Sequence, residues 1–246
     1  MDTTGIYILI IIGFATLVRS TFGFGGSLLS VPLLLLFVPI TTAVPISVLT
    51  STSIAALVSL QDRKNIEFQS VKWLVLFAGL GIPFGIGILQ FASPTVLKFI
   101  LGVLIISYCI FSFSGYQLPE MSKNNKKGLF FFGFLSGVTG GACGLNGPPL
   151  VIYGNLRRWN AIAFRASLQA YFLPISTITM IGYYLQGLWT PEITTYYLWS
   201  FPIVIPLMYL GRYINRTLKQ ETFLKYIYLG LTAVGSLLIY QSQVLY

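Results

Sequence analysis

"RSTFGFGGSLLSVPLL", residues 19–34, places an arginine, three glycines and a proline between two apolar runs. Glycine and proline weaken a helix, and a charge inside a bilayer is costly, so this stretch is poorly suited to a membrane helix. The flanking runs, residues 6–18 and 28–38, are each shorter than the roughly 17 residues that a helix needs to cross a bilayer. The stretch therefore predicts two short helices that meet at a glycine-rich break.

The composition indicates a multi-pass membrane protein. Of the 246 residues, 55% are hydrophobic and 9% are charged, whereas soluble domains carry about 25% charged residues. The net charge of +9 comes from basic residues in short loops, with no basic helix or aromatic-basic face. Loop charges of this kind orient a membrane protein, so we expect no nucleic-acid partner.

Cysteine and histidine usage excludes several kinds of chemistry. The two cysteines, Cys109 and Cys143, have neither disulfide nor metal-site spacing, and the chain has no histidine. Histidine-based zinc sites, Ser-His-Asp triads and histidine proton relays are therefore excluded. We expect no metal and no cofactor, and we expect the first apolar run to belong to the mature protein rather than to a signal peptide.

Ten apolar segments are predicted, of which six are long enough to cross a bilayer. These six are residues 43–60, 71–91, 96–113, 164–185, 194–211 and 223–240. The other four form two adjacent pairs, residues 6–18 with 28–38 and residues 128–138 with 148–156, joined by the glycine-rich loops 21–27 and 139–147. Each pair is interpreted as a re-entrant hairpin, whose break must line protein or water at membrane depth.

Lysine and arginine predict the orientation, because they concentrate in cytoplasmic loops. Four loops carry them, residues 61–70, 115–127, 154–163 and 212–222. If these loops are cytoplasmic, the first hairpin enters from outside, the second enters from inside, and both termini lie outside. Arg19 and Lys98 are the basic residues that this rule does not place.

The predicted fold is an all-α integral membrane protein with an inverted structural repeat, each half a re-entrant hairpin plus three transmembrane helices. The repeats are residues 1–115 and 128–246, joined by a cytoplasmic linker, residues 116–127. "TFGFGGSLLSVPLL" parallels "TGGACGLNGPPLVI", although two apolar, glycine-rich halves can look alike by composition alone. Inverted repeats with interrupted helices are a known plan for secondary transporters.

The two breaks predict an anion site. Leu28 and Pro148 would begin half-helices, whose N-termini offer free N–H groups and a positive dipole end, while glycine lets a ligand approach. The hairpins enter from opposite sides, so both tips could meet near the middle of the membrane. We expect backbone donors near Gly25, Gly26, Gly144 and Gly147.

Arg19 lies at hairpin depth and needs a partner there. The six acids, Asp2, Asp62, Glu67, Glu120, Glu192 and Glu221, are all predicted in loops or near helix ends. An arginine without a carboxylate is poised for an anion. The alternative is that Arg19 snorkels to the surface or caps carbonyl groups at the end of the first short helix.

Polar side chains complete the predicted site. Several side chains could donate to an oxyanion: the hydroxyls of "TSTS", residues 50–53, and the amides of Asn146 and Gln169. Hydroxyls, however, commonly bond carbonyl groups of their own helix. Asn146 also fits a tight turn, and Arg165 also fits an anchor on the cytoplasmic side. The predicted binding residues are Arg19, Gly23, Gly25, Gly26, Ser27, Thr50, Ser51, Thr52, Ser53, Gly144, Asn146, Gly147 and Gln169, with Thr21, Thr139, Cys143, Arg165 and Tyr171 as further candidates.

The two motifs "RSTFGFGGSLLSVPLL" and "GGACGLNGPPLVIYGNLRRWNAIAFR" resemble the paired signatures of the TauE/SafE sulfite exporter family. The resemblance implies transport of sulfite, sulfonates or related sulfur compounds, and it implies a bacterial inner membrane. Cys143 and Asn146 stand where the family often has glycine, so the resemblance does not select a substrate.

The sequence thus predicts a secondary transporter for a small inorganic or organic sulfur oxyanion, with the lipid bilayer as its other partner. A passive anion channel on the same scaffold is the alternative. A membrane-embedded enzyme is disfavoured, because without histidine, a buried acid or a metal motif acid–base chemistry has few participants. The oligomeric state is open, a homodimer being one option.

Overall fold

The computed structural model describes residues 3–59, 65–114, 119–122, 125–215 and 220–244. These residues form ten α-helices and no strand: α1 Thr3–Phe22, α2 Gly26–Leu34, α3 Ile40–Ser59, α4 Phe68–Phe91, α5 Pro94–Ser114, α6 Lys126–Cys143, α7 Gly147–Leu156, α8 Ala161–Leu185, α9 Pro191–Asn215 and α10 Gln220–Val244. The loop charges predicted at Asp2, Asp62, Arg63, Lys64, Lys123, Arg216 and Lys219 lie outside the described residues.

Helix α1 is longer than the sequence predicted. It spans 20 residues instead of residues 6–18, and its length and apolarity are sufficient for crossing a membrane. The expectation that this segment is too short to cross is therefore wrong. At the polar end of the helix the Thr21 hydroxyl donates to the Leu17 carbonyl oxygen at 2.8 Å, so this polar group is satisfied within α1. The helix stops at Gly23, which has a φ of 84°.

Four helices in the described part of the chain are long and apolar enough to cross a membrane: α1, α4, α5 and the stretch Pro191–Gly211 of α9. Three other predicted spans, α3, α8 and α10, have 20, 25 and 25 residues. They carry more polar side chains, and several of these hydroxyls donate to carbonyl groups of their own helix. Self-bonded hydroxyls lower the cost of burying such helices.

Both predicted breaks have the same construction. Three residues, 23–25 and 144–146, separate α1 from α2 and α6 from α7. Each first helix ends at a left-handed glycine, Gly23 or Gly144, a conformation that residues with a side chain rarely adopt. The alignment of the two glycine-rich motifs pairs Thr21 with Thr139. The ends of α1 and α6 instead pair Gly23 with Gly144, so the structure shifts that alignment by three residues.

The two halves of the chain pack their helices in nearly the same pattern when α1–α5 are matched in order with α6–α10. Helix α1 packs on α9, and its counterpart α6 packs on α4. Helix α5 packs on its counterpart α10, and α3 packs on its counterpart α8. At both breaks the short helix packs against the helix before it. Two related halves would pack in this way.

Glycines allow the closest of these contacts, between α4 and α6. A Cβ built on Gly81 or Gly85 would overlap the backbone of α6, and one on Gly137 or Gly141 would overlap the backbone of α4. Small residues spaced four apart let two helix backbones touch. This contact fixes the position of α6, which carries the second break at its end.

Candidate anion-binding site

The two breaks face one shared cavity, which we call the tip cavity. It encloses about 340 Å³ including its opening. Its walls come from both breaks, from α1 and from two helices elsewhere in the chain: Arg19, Phe24, Gly25, Gly26, Ser27, Leu28, Tyr108, Gly144, Leu145, Asn146, Gly147, Pro148 and Phe172. Residues far apart in sequence are thus brought together at the beginnings of α2 and α7.

Among the described residues of this wall, Arg19 is the charged one. It lies in the last turn of α1 and is 4% exposed. Its Nη2 donates to Gln169 Oε1 at 3.3 Å, and its Cζ lies 5.2 Å from the centroid of the Phe172 ring. Its Nε has no hydrogen-bond partner among the described residues. Neither Gln169 nor Phe172 is negative, so the guanidinium charge is not neutralised by these contacts.

The two alternatives for Arg19 do not fit this geometry. A side chain that snorkels reaches the surface, but Arg19 is buried inside the protein. Its hydrogen bond goes to a side-chain amide on α8, not to a carbonyl group at the end of α1.

Gln169 holds Arg19 in place. Its Oε1 accepts from Arg19 at 3.3 Å, while its Nε2 donates to the Gly23 carbonyl oxygen at 2.7 Å. Since the side chain links α8 to both the arginine and the first break, it positions the guanidinium. One amide proton and the oxygen are engaged within the protein, which makes Gln169 a positioning residue more than a direct donor to a ligand.

The first break supplies most of the backbone donors. In α2 the first bond to the preceding turn is from Leu29 N–H to the Gly25 carbonyl oxygen at 3.1 Å, and no side chain caps the helix. The N–H groups of Gly26, Ser27 and Leu28 therefore have no partner within the helix. They carry the positive end of the helix dipole at the cavity wall.

The second break supplies fewer donors. Pro148 and Pro149 follow Gly147 and have no N–H. The Gly144 N–H donates to the Gly140 carbonyl oxygen at 2.9 Å, so the donation expected from Gly144 is already used within α6. Gly144 contributes its left-handed backbone and its lack of a side chain, while Gly147 retains an N–H at the beginning of α7.

The predicted hydroxyls divide into two groups. Thr50, Thr52 and Ser53 donate to carbonyl groups of their own helix, and a hydroxyl has a single proton to donate. Ser27 and Ser51 instead share one hydrogen bond, with 3.2 Å between their oxygens. One proton of that pair remains for a ligand, and Ser27 lies in the wall of the tip cavity.

The remaining candidates have structural partners. Thr139 donates to the Leu145 carbonyl oxygen at 2.8 Å and Tyr171 donates to Ser136 Oγ at 2.8 Å. The Arg165 stem lies against Gly23, and Cys143 is buried as a free thiol. Of this group none lines the tip cavity, whereas Asn146 does.

Sequence reasoning missed three aromatic residues of the wall, Phe24, Tyr108 and Phe172. Phe172 follows Gln169 by three residues, which places both on the same face of α8. That spacing is the signal that could have added Phe172 to the predicted site as a neighbour of Gln169. Tyr108 lies within an apolar run of α5 and has no such signal.

No acidic residue of the described chain lines this cavity. The described residues also hold no group of three side chains that could bind a metal ion. A cavity with a buried guanidinium, free N–H groups and a serine pair is suited to a small anion.

The profile of the sulfite exporter TauE/SafE family matches residues 8–238, nearly the whole chain. The chain therefore belongs to this family of transporters and is a multi-pass transmembrane protein. No curated protein and no solved structure matches it.

Proposed function

We propose that this member of the sulfite exporter TauE/SafE family is a secondary transporter for a small sulfur-containing oxyanion of the sulfite or organosulfonate class. The anion binds in the tip cavity, between the two breaks. The observation that carries this proposal is the buried guanidinium of Arg19, which faces that cavity with no carboxylate among the described residues of its wall.

The donors in the cavity suit an oxyanion with several oxygens. Arg19 can offer N–H groups that its contacts within the protein do not use, since Nε has no partner. The N–H groups of Gly26 and Ser27 begin a helix whose dipole favours negative charge. Sulfite and a sulfonate group each present three oxygens, so one face can meet the guanidinium while another meets the backbone.

The arrangement of the halves supports alternating access. Each half contributes one break to the cavity. Helices α1–α5 and their counterparts α6–α10 also pack in nearly the same pairs. In an inverted repeat with residues 1–115 and 128–246 as its units, movement of one half against the other opens the site to one side at a time. The Lys/Arg distribution favours a cytoplasmic 116–127 linker with both termini outside.

Counterflow in proteoliposomes tests the proposal. Vesicles loaded with unlabelled sulfite should accumulate labelled sulfite, and sulfate, thiosulfate and methanesulfonate as competitors rank the substrates. Exchange that accumulates label above its equilibrium level is expected of a carrier. Flux that only follows the electrochemical gradient would identify a passive anion channel, and chemical conversion of sulfite by purified protein would identify an enzyme.

A further inference from the structure

A second cavity borders Arg19 and Gly26, which also line the tip cavity. About 220 Å³ of space, its opening included, lies here between α1, α2 and α3. The other residues that line it are Ile12, Ala15, Thr16, Ser30, Ser47, Thr50, Ser51 and Ile54. We call it the hydroxyl cavity, because Thr16, Ser30, Ser47, Thr50 and Ser51 bring hydroxyl groups to its wall.

Several of these hydroxyls have protons to spare. Thr16 is 2% exposed, and its Oγ1 has no hydrogen-bond partner among the described residues. Ser30 and Ser47 share one hydrogen bond, with 2.6 Å between their oxygens. Each such serine pair has two protons and uses one, so it leaves a donor. Buried polar groups are normally bonded, so an unpartnered threonine in this wall indicates a polar occupant.

The charge of the wall selects the sign of that occupant. Arg19 is its charged residue, and no acid of the described chain lines the cavity. A cation would be repelled by the guanidinium at short range. An oxyanion would instead gain the guanidinium charge, the Thr16 hydroxyl and the spare protons of the serine pairs.

We propose that the hydroxyl cavity is a second station for the transported oxyanion, next to the tip cavity, and that Arg19 serves both stations. This inference rests on the proposed function. Arg19 remains in contact with the anion as it moves from the N–H groups of α2 to the hydroxyls of α1 and α3. The transfer exchanges one set of donors for another and avoids a fully desolvated charge.

Among the described residues of the second half, the position that corresponds to Arg19 holds no charged side chain. Arg19 lies four residues before the left-handed Gly23, and the residue four before Gly144 is Gly140. The side chain of Asn146 occupies the space beside Gly140, and the hydroxyl of the buried Tyr183 donates to the Gly141 carbonyl oxygen at 2.8 Å. Tyr171 is similarly buried on Ser136. The route beyond the tips therefore runs between α1, α2 and α3, which faces the outer side under the predicted orientation.

The double variant Thr16→Val/Ser47→Ala tests this second station. Both changes remove hydroxyls and keep the approximate shape of the side chains. Sulfite affinity, measured by calorimetry on the purified variant, should stay within about twofold, because the tip cavity is intact, while the rate of sulfite counterflow should fall about tenfold. The matched control is Thr179→Val/Ser200→Ala, in which both native hydroxyls are buried and donate to carbonyl groups of their own helices.

Counterflow of the double variant at the rate of the control would overturn the second station. Parallel loss of affinity and rate would also overturn it, because the two cavities would then act as one site. If the double variant does not fold, Ala15→Leu replaces it, since this change fills the hydroxyl cavity and leaves its hydroxyls. Unchanged binding and counterflow in Arg19→Gln would instead overturn the proposed function itself.

Discussion

Arg19 lies directly over Gly26, so that a Cβ built on Gly26 would be 2.9 Å from Cδ of Arg19. The first residue of α2 is a glycine, and the stem of Arg19 occupies the space that a side chain there would need. This contact places a guanidinium beside the N–H groups that begin α2, and both then act on the same bound charge.

Gly26→Ala should move the Arg19 side chain and weaken anion binding. The added methyl group overlaps the flexible stem, which can shift, so the protein should still fold while sulfite affinity falls about tenfold. Gly87→Ala is the matched control, because a Cβ built on Gly87 has no heavy atom within 4 Å. Calorimetry compares the sulfite affinities of the two variants. Equal affinities would mean that Gly26 is not part of the binding site. Gly144→Val is less informative, because a φ of 69° strains any residue with a side chain there.

Arg19→Lys keeps the charge but loses the planar fork, so it should weaken sulfite binding. Arg19→Gln removes the charge and should weaken it further, by about 10-fold to 100-fold if charge-assisted hydrogen bonds of about 1.5–3 kcal/mol are lost. Thermal unfolding of each purified variant shows whether the fold is kept. Wild-type affinity in a folded Arg19→Gln protein would assign the arginine to structure.

Gln169→Glu gives Arg19 the carboxylate that the native wall lacks. The new side chain should pair with the guanidinium, cancel its charge and repel a second anion, so sulfite binding should be lost. Gln169→Met is the control, because it removes the link between Arg19 and Gly23 without adding charge. We expect the glutamate variant to bind at least about tenfold more weakly than the methionine variant. Equal binding by the two would mean that the free charge of Arg19 does not hold the anion.

The sequence predicted the two breaks, because glycine, proline and a charge are conspicuous in apolar runs. Of the residues that line the tip cavity it named Arg19, Ser27, Asn146 and the glycines, but not the aromatic rings. The hydrogen bonds of the predicted residues could not be predicted. Whether the Gly144 N–H is free or bonded to Gly140 depends on how α6 ends, and whether Thr50 donates to a ligand or to Ile46 depends on its rotamer. The contact of Arg19 with Phe172 joins positions far apart in the chain, so only the tertiary packing reveals it.

Gly137→Ala should destabilise the protein through the contact between α4 and α6. A Cβ at this position overlaps the Ala78 carbonyl oxygen, which belongs to the backbone and cannot turn away. Overpacking of this kind typically costs about 1–3 kcal/mol. Thermal unfolding in detergent should show a lower midpoint than for Gly79→Ala, whose added Cβ has no heavy atom within 4 Å. A midpoint equal to that of the control would mean that the two helices can separate without cost.

Transport coupled to a proton needs a group that carries the proton across the membrane. A proton-driven carrier usually holds an acid or a histidine at membrane depth. The chain has no histidine, and no acid among the described residues lines either cavity. We therefore expect the proton to travel on the substrate, because sulfite is a weak base that becomes hydrogen sulfite. A bound cation such as Na⁺ is less suitable, since Arg19 and the N–H groups would repel it.

Sulfite flux should then follow the pH gradient across proteoliposomes, whereas flux of methanesulfonate, which stays ionised at neutral pH, should not. Glu67, Glu120 and Glu192 lie before α4, in the segment 119–122 and in the first turn of α9. Replacing each of them by glutamine should leave the pH dependence of sulfite flux intact, because none of them faces the anion. If Glu192→Gln still binds sulfite but loses its response to the gradient, the proton is carried by the protein and the acid must reach the pathway during transport.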